Sequence, residues 1–154
     1  FSAVGDDIQH AKVLDLCSGS GALGIEALSR GARHVHFIEV DRRTASTLKR
    51  NVAELGIEDQ STIVRAEVLR YLVRNDAMFD VAFADPPYGS SLAKQLLTQF
   101  RERAFAGQLW IEHDASDGVS DGAGWTRRYG DTSVSGHWAG LPVHDNEPSQ
   151  PDLE

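Results

Sequence analysis

The stretch Lys12-Val-Leu-Asp-Leu-Cys-Ser-Gly-Ser-Gly-Ala-Leu-Gly24 decides the fold. Its first half, Lys12 to Cys17, is a short apolar run ending in small residues, the mark of a buried strand. Ser18-Gly-Ser-Gly21 breaks that strand, and Ala22 to Arg30 follows with helical spacing, closed by Gly31. A strand, a glycine turn and a helix in that order open a βαβ unit. Gly19-Ser-Gly21-Ala-Leu-Gly24 fits G-x-G-x-x-G, and Glu39 stands twenty residues after Gly19. That combination matches a dinucleotide fingerprint as well as a methyl-donor loop. In either case the glycines admit a ligand close to the backbone, and the Glu39 carboxylate suits a ribose diol.

Asp15 separates the two. A carboxylate at the end of the first strand repels a pyrophosphate. S-adenosylmethionine (SAM) carries no phosphate but an ammonium and a sulfonium, so an acid beside its loop is favourable. Cys17, within the loop, reads as a packing residue rather than a nucleophile, since no base is near it in the sequence.

Outward from the loop, strands and helices alternate. His34 to Val40 reads as a second strand, with Asp41 placed to cap a helix whose Leu48, Val52 and Leu55 share one apolar face up to Gly56. Ser61 to Arg65 is a short third strand, and Glu67 to Arg74 a helical turn or two. Phe79 to Ala84 is a fourth strand, stopped by Asp85-Pro86-Pro87. Leu92, Leu96, Leu97 and Phe100 keep helical spacing up to Gly107, and Gln108 to His113 is a fifth strand. Trp125–Tyr129 and Thr132–Trp138 form a hairpin turning at Gly130-Asp131. The pattern predicts one α/β domain over residues 1–140. It is a Rossmann-like, mainly parallel sheet with helices on both faces and a C-terminal antiparallel hairpin. Residues 141–154 hold three prolines and four acids and read as a disordered acidic tail. Ligands in such sheets bind at the carboxyl ends of the strands, where strand order reverses.

Asp85-Pro86-Pro87-Tyr88 falls at that edge. A rigid turn explains two prolines, but the position asks for more. A ring-conjugated amino group is a poor nucleophile because its lone pair is delocalised. The Asp85 carboxylate and the Pro86 carbonyl can accept its two hydrogens and free the lone pair, with the prolines holding both acceptors stiff. Tyr88 offers a face on which an extruded base can stack. Proximity then supplies much of the rate of methyl transfer.

These segments resemble the bacterial RsmD family. The resemblance rests on Asp15 to Ala32, on Phe37-Ile-Glu-Val-Asp-Arg42 and on Ala84-Asp-Pro-Pro-Tyr88, and Tyr129-Gly-Asp-Thr132 is similar to that family's late hairpin. It implies a cytoplasmic, SAM-dependent enzyme that methylates guanine N2 in small-subunit (16S) rRNA, free or in the assembling 30S particle. By position it implies that Asp15, Ser18, Gly19 and Gly21 line the methionine part of SAM, that Glu39 holds the ribose and that Val40 lies against adenine. Ala66 and Glu67 fall where that family has an acid reaching the adenine amino group, and Glu67 reads equally as a surface acid. Asp85 borders the cofactor as well as the base. The family carries a basic segment before the first strand, whereas only Phe1 to Ala11 precede Lys12 here, without an arginine, so the front segment is expected to be missing.

Composition limits the alternatives. With 15 Lys+Arg against 23 Asp+Glu the net charge is −8, which by itself disfavours a nucleic-acid partner. Residues 1–100 hold 11 basic and 13 acidic groups, however, and residues 101–154 hold 4 and 10, so the catalytic region is near neutral. One cysteine excludes an internal disulfide and suits a reducing cytoplasm; the six histidines lack metal-ligand spacing, and no metal is expected. No apolar run is long enough for a membrane helix. Arg42, Arg43, Lys49 and Arg50 read as a solvated helix face before an RNA contact, and Trp110, Trp125 and Trp138 as packing. His113 and Asp114 border the site, or Asp114 caps a turn. Other readings remain open: methylation of DNA adenine N6 or another RNA base, a dinucleotide-dependent oxidoreductase, or a SAM-binding module without catalysis.

Overall fold

The computed structural model describes residues 1–140; the expected tail, 141–154, lies outside the described residues. After a 3-10 turn at Gly5–Ile8, the chain runs β1 (Lys12–Leu16), α1 (Ala22–Ser29), β2 (His34–Ile38) and α2 (Arg42–Leu55). A second 3-10 turn, Glu58–Gln60, leads into β3 (Ser61–Val64), α3 (Val68–Arg74), β4 (Phe79–Ala84) and α4 (Leu92–Glu102). The described part closes with β5 (Ala106–Asp114), β6 (Trp125–Tyr129) and β7 (Thr132–Trp138). The order across the sheet is β3-β2-β1-β4-β5-β7-β6. Strands β1 to β5 pair in parallel, and β7 joins β5 and β6 antiparallel. The order reverses between β1 and β4, which places a crevice above that pair.

Alternation along each strand splits the core into two layers. Leu14 and Leu16 of β1 join Leu96, Leu97 and Phe100 of α4 and Leu72 of α3 on one face. Val13, Val35 and Phe37 face Ala27 of α1 and Leu48 and Val52 of α2 on the other. Most of these side chains are fully buried, each contributing about 1.5–3 kcal/mol of hydrophobic stabilisation. Asp41 caps α2 as its sequence position predicts, its carboxylate accepting from Thr44 N at 2.8 Å. Gly56 ends that helix in the left-handed region (φ 65°). Trp110 packs between Trp125 and Trp138, with ring centroids 5.4 Å away on each side. All three tryptophans therefore act in packing.

Several boundaries shift for physical reasons. Cys17 leaves β1 because its φ is +57°, so the chain turns one residue early. β2 stops at Ile38 rather than Val40; Glu39 N still bonds to Val64 O, but its side chain turns to the glycine loop. β3 ends at Val64 rather than Arg65, and α1 at Ser29 with Arg30 as its cap. α4 ends at Glu102, because Ala106 already begins β5. Leu55 keeps the helical spacing of Leu48 and Val52 but is 57% exposed, lying in the last turn beyond the sheet that covers the other two.

Candidate active site

Sheet register builds the site. Ile38 and Ala84 both pair with Leu16, Val64 pairs with Ile38, and Ile111 pairs with Ala84. The next residues up the strands are Arg65, Glu39, Cys17, Asp85 and Glu112, which fall in one row along the carboxyl edge. Neighbouring strands lie about 4.8 Å apart. Three carboxylates thus share one edge of the sheet with a cysteine among them.

Two cavities open on this row. The first, about 280 Å³, is lined by Cys17, Gly19, Glu39, Val40, Thr44, Ala66, Glu67, Val68, Asp85, Pro87 and Leu92. It holds three carboxylates and no lysine or arginine. Glu39 is fixed from both sides: Oε2 accepts from Gly19 N at 2.9 Å and Oε1 from Asp41 N at 3.1 Å. Val40, 61% exposed, supplies a flat apolar wall. Glu67 is the cap of α3, its two oxygens accepting from Leu69 N and Arg70 N at 3.2 Å, and it also lines the cavity. The second cavity, about 400 Å³, shares Asp85 and Pro87 with the first and adds Pro86, Tyr88, Lys94, Glu112, Asp114 and Asp117 among its walls.

Asp15, Ser18 and Gly21, expected in the ligand wall, stand behind it. Asp15 alternates onto the same face as Val13, so its carboxyl meets α1, where Oδ2 accepts from Gly24 N at 3.0 Å. Ser18 Oγ donates to Asp15 O at 2.6 Å, and Gly21 packs under Leu48. Thr44, Val68, Leu92 and Glu112 line the two cavities without having been found in the sequence; only the pairing register and helix positions reveal them. Asp114 does both things considered for it, accepting from Ser116 N at 2.9 Å and bordering the second cavity.

Electrostatics follow from burial. Burial raises the Asp85 carboxyl above its ordinary value, and it raises Glu112 with further help from Asp85. The Cys17 thiol is pushed up to about 12 by burial and by the surrounding carboxylates, Glu39 first, so it stays protonated and is no nucleophile. Burial pushes Asp15 up to about 8 against the opposing Gly24 hydrogen bond, and its Oδ1 is buried without a partner among the described residues.

Asp15 also predicts a pH dependence. It takes up a proton on folding between the ordinary carboxylate range and about 8, so stability falls as pH rises through that window, by up to about 1.4 kcal/mol per pH unit. His36 and His137, held down to about 4 chiefly by burial, release protons on folding and act in the opposite sense, but only up to about 6.5. The loss is therefore uncovered above pH 6.5. Urea unfolding is expected to show stability declining from pH 6.5 to 8, and Asp15→Asn to remove that decline. An equal decline in both proteins would show that Asp15 does not carry it.

Residues 1–132 match the family described as "Conserved hypothetical protein 95". The chain belongs to that family. A relative from Buchnera aphidicola subsp. Acyrthosiphon pisum, "Ribosomal RNA small subunit methyltransferase D", is 32% identical over 123 residues, 77% of this chain and 64% of its own. Among solved structures, "Putative methyltransferase yhhF from Escherichia coli" superposes with a TM-score of 0.79 at 25% identity, over 88% of this chain and 79% of that one. The Haemophilus influenzae structure described as "putative methylase HI0767" gives 0.77 at 27%, over 88% and 91%. The RsmD resemblance and the Rossmann-like methyltransferase fold are thereby borne out. The chain spans 49–65% of the length of the first curated relatives it matches. Among the described residues no helix is long and apolar enough to cross a membrane, and no cluster of metal-ligating side chains is found.

Proposed function

We propose that this chain is the catalytic part of a SAM-dependent amino-methyltransferase whose substrate is guanine N2 in small-subunit rRNA. The observation that carries the reading is the first cavity, with Glu39, Glu67 and Asp85 in its wall and no cation, adjoined at Asp85 and Pro87 by a second cavity. A pyrophosphate would meet three carboxylates there with nothing to neutralise it, which disfavours a dinucleotide. A nucleoside with a cationic tail fits: Glu39 accepts from its ribose hydroxyls, Val40 and Ala66 flank its base, and no lysine or arginine in the wall repels its ammonium. Curated relatives named as small-subunit rRNA methyltransferases supply the substrate class.

SAM, when bound, supplies an electrophilic methyl on its sulfonium. The work of the protein is done by Asp85, Pro86, Pro87 and Tyr88. Asp85 and the Pro86 carbonyl accept the two amino hydrogens and draw the nitrogen out of conjugation. The prolines keep these acceptors from relaxing. Tyr88, 75% exposed at the mouth of the second cavity, stacks on the extruded base. As the carbon–nitrogen bond forms and the carbon–sulfur bond breaks, positive charge passes to nitrogen, and the ionised Asp85 takes the departing proton.

Calorimetry is expected to show binding of SAM and none of NAD; the reverse would overturn the cofactor. Labelled methyl transferred to unmodified small-subunit rRNA is expected to appear as N2-methylguanosine. Label in N6-methyladenosine instead would overturn the guanine assignment.

A further inference from the structure

Four carboxylates line the second cavity, and their bonding divides them in two. Asp114 is committed to Ser116, through both its N–H and its hydroxyl, at 2.9 and 2.7 Å. Asp117 accepts from His113 Nδ1 and from Val119 N, each at 2.9 Å. Asp85 and Glu112 have no hydrogen-bond partner among the described residues. These same two are neighbours across parallel strands, because Ala84 pairs with Ile111 and each acid is the next residue. Two free carboxylates, roughly 4.8 Å apart in backbone spacing, therefore face one cavity.

Nothing in the fold explains Glu112. It caps no helix and joins no ion pair, and its exposed position near the end of β5 would suit any polar residue. Two adjacent acceptors make a pattern that a base edge can match. Guanine presents N1–H beside its N2 amino group, two donors side by side. Adenine and cytosine present a bare ring-nitrogen acceptor beside theirs, which a carboxylate repels.

We infer that Glu112 is the specificity residue of the site, accepting the N1–H of the target guanine while Asp85 accepts from its N2 amino group. This rests on the amino-methylation reading above. It gives the cavity a means of rejecting adenine and cytosine that the Asp-Pro-Pro-Tyr turn lacks, since that turn takes any conjugated amino group. Burial and the Asp85 charge both raise the Glu112 carboxyl, and a donor between the two acids relieves that repulsion.

The test removes the N1–H, and the C6 carbonyl oxygen with it. The guanosine methylated by the wild-type protein is first mapped in unmodified small-subunit rRNA, free or reconstituted with small-subunit proteins. It is then exchanged by splinted ligation for 2-aminopurine, which keeps the amino group but carries a bare N1. Wild type is expected to favour guanine by about 10-fold or more in kcat/KM. Glu112→Gln, whose amide can turn either an acceptor or a donor toward N1, is expected to narrow that preference about 10-fold, with melting temperature and SAM affinity unchanged. A preference equal in both proteins would overturn the role of Glu112 and leave amino-methylation standing. A wild type that methylates no guanosine of this rRNA at the mapping step would overturn both.

Discussion

Asp85→Ala is expected to lower methyl transfer by about 100- to 1,000-fold or more, the scale of losing one preorganised acceptor in a partly dry site. The fold should survive, because Asp85 is exposed, follows the last residue of β4 and makes no hydrogen bond to the described residues. SAM affinity should change little, since Glu39 and the glycine loop do most of the holding. Asp85→Asn is the sharper variant. It keeps the shape and one acceptor but takes no proton, so its rate should lie between wild type and alanine. The wild-type rate should fall on acidification at a pH above the ordinary carboxylate range, because burial raises the Asp85 carboxyl and only the ionised form accepts. Transfer at the wild-type rate by Asp85→Ala, measured with labelled SAM on unmodified small-subunit rRNA, would remove Asp85 from the mechanism.

The residues legible in the sequence are those whose role is local. Asp41 caps α2, Phe79–Ala84 ends where two prolines forbid a strand, and Gly130-Asp131 turns a hairpin. Each is decided by the few residues on either side. The glycine loop and Glu39 were also legible, because their spacing along the chain survives folding. Other features depend on register and packing between distant segments. Asp15 sits on the α1 face rather than in the cavity wall because β1 alternates. Glu112 neighbours Asp85 because β5 pairs with β4 at Ala84 and Ile111. In sequence Glu112 was one polar residue in the strand Gln108 to His113, with no partner in view. Leu55 shows the opposite failure, in which periodicity continues past the end of the surface that it would cover.

The two ends of the glycine motif should respond to alanine in different ways, and the difference tests what each is for. Gly24 lies in the first turn of α1, where an added Cβ would overlap the buried Phe37 ring and come within 2.8 Å of Val35 Cγ1. Alanine gains about 0.5–1 kcal/mol of helix propensity, but overpacking against two fully buried side chains costs about 1–3 kcal/mol. Relief requires α1 to lift from β2, which draws Gly24 N away from Asp15 Oδ2 and leaves that buried carboxyl without any partner, a further cost of about 1–3 kcal/mol. Gly24→Ala is therefore expected to lower the melting temperature by roughly 5–15 °C. Gly19 has nothing within 4 Å of an added Cβ, and only its φ of +57° resists a side chain, at about 1–2 kcal/mol. It lines the first cavity, where Glu39 holds its N–H, so Gly19→Ala should weaken SAM binding in calorimetry more than it lowers the melting temperature. Equal loss of stability in the two variants would mean that both glycines serve only the turn, and that the loop is not shaped around a ligand.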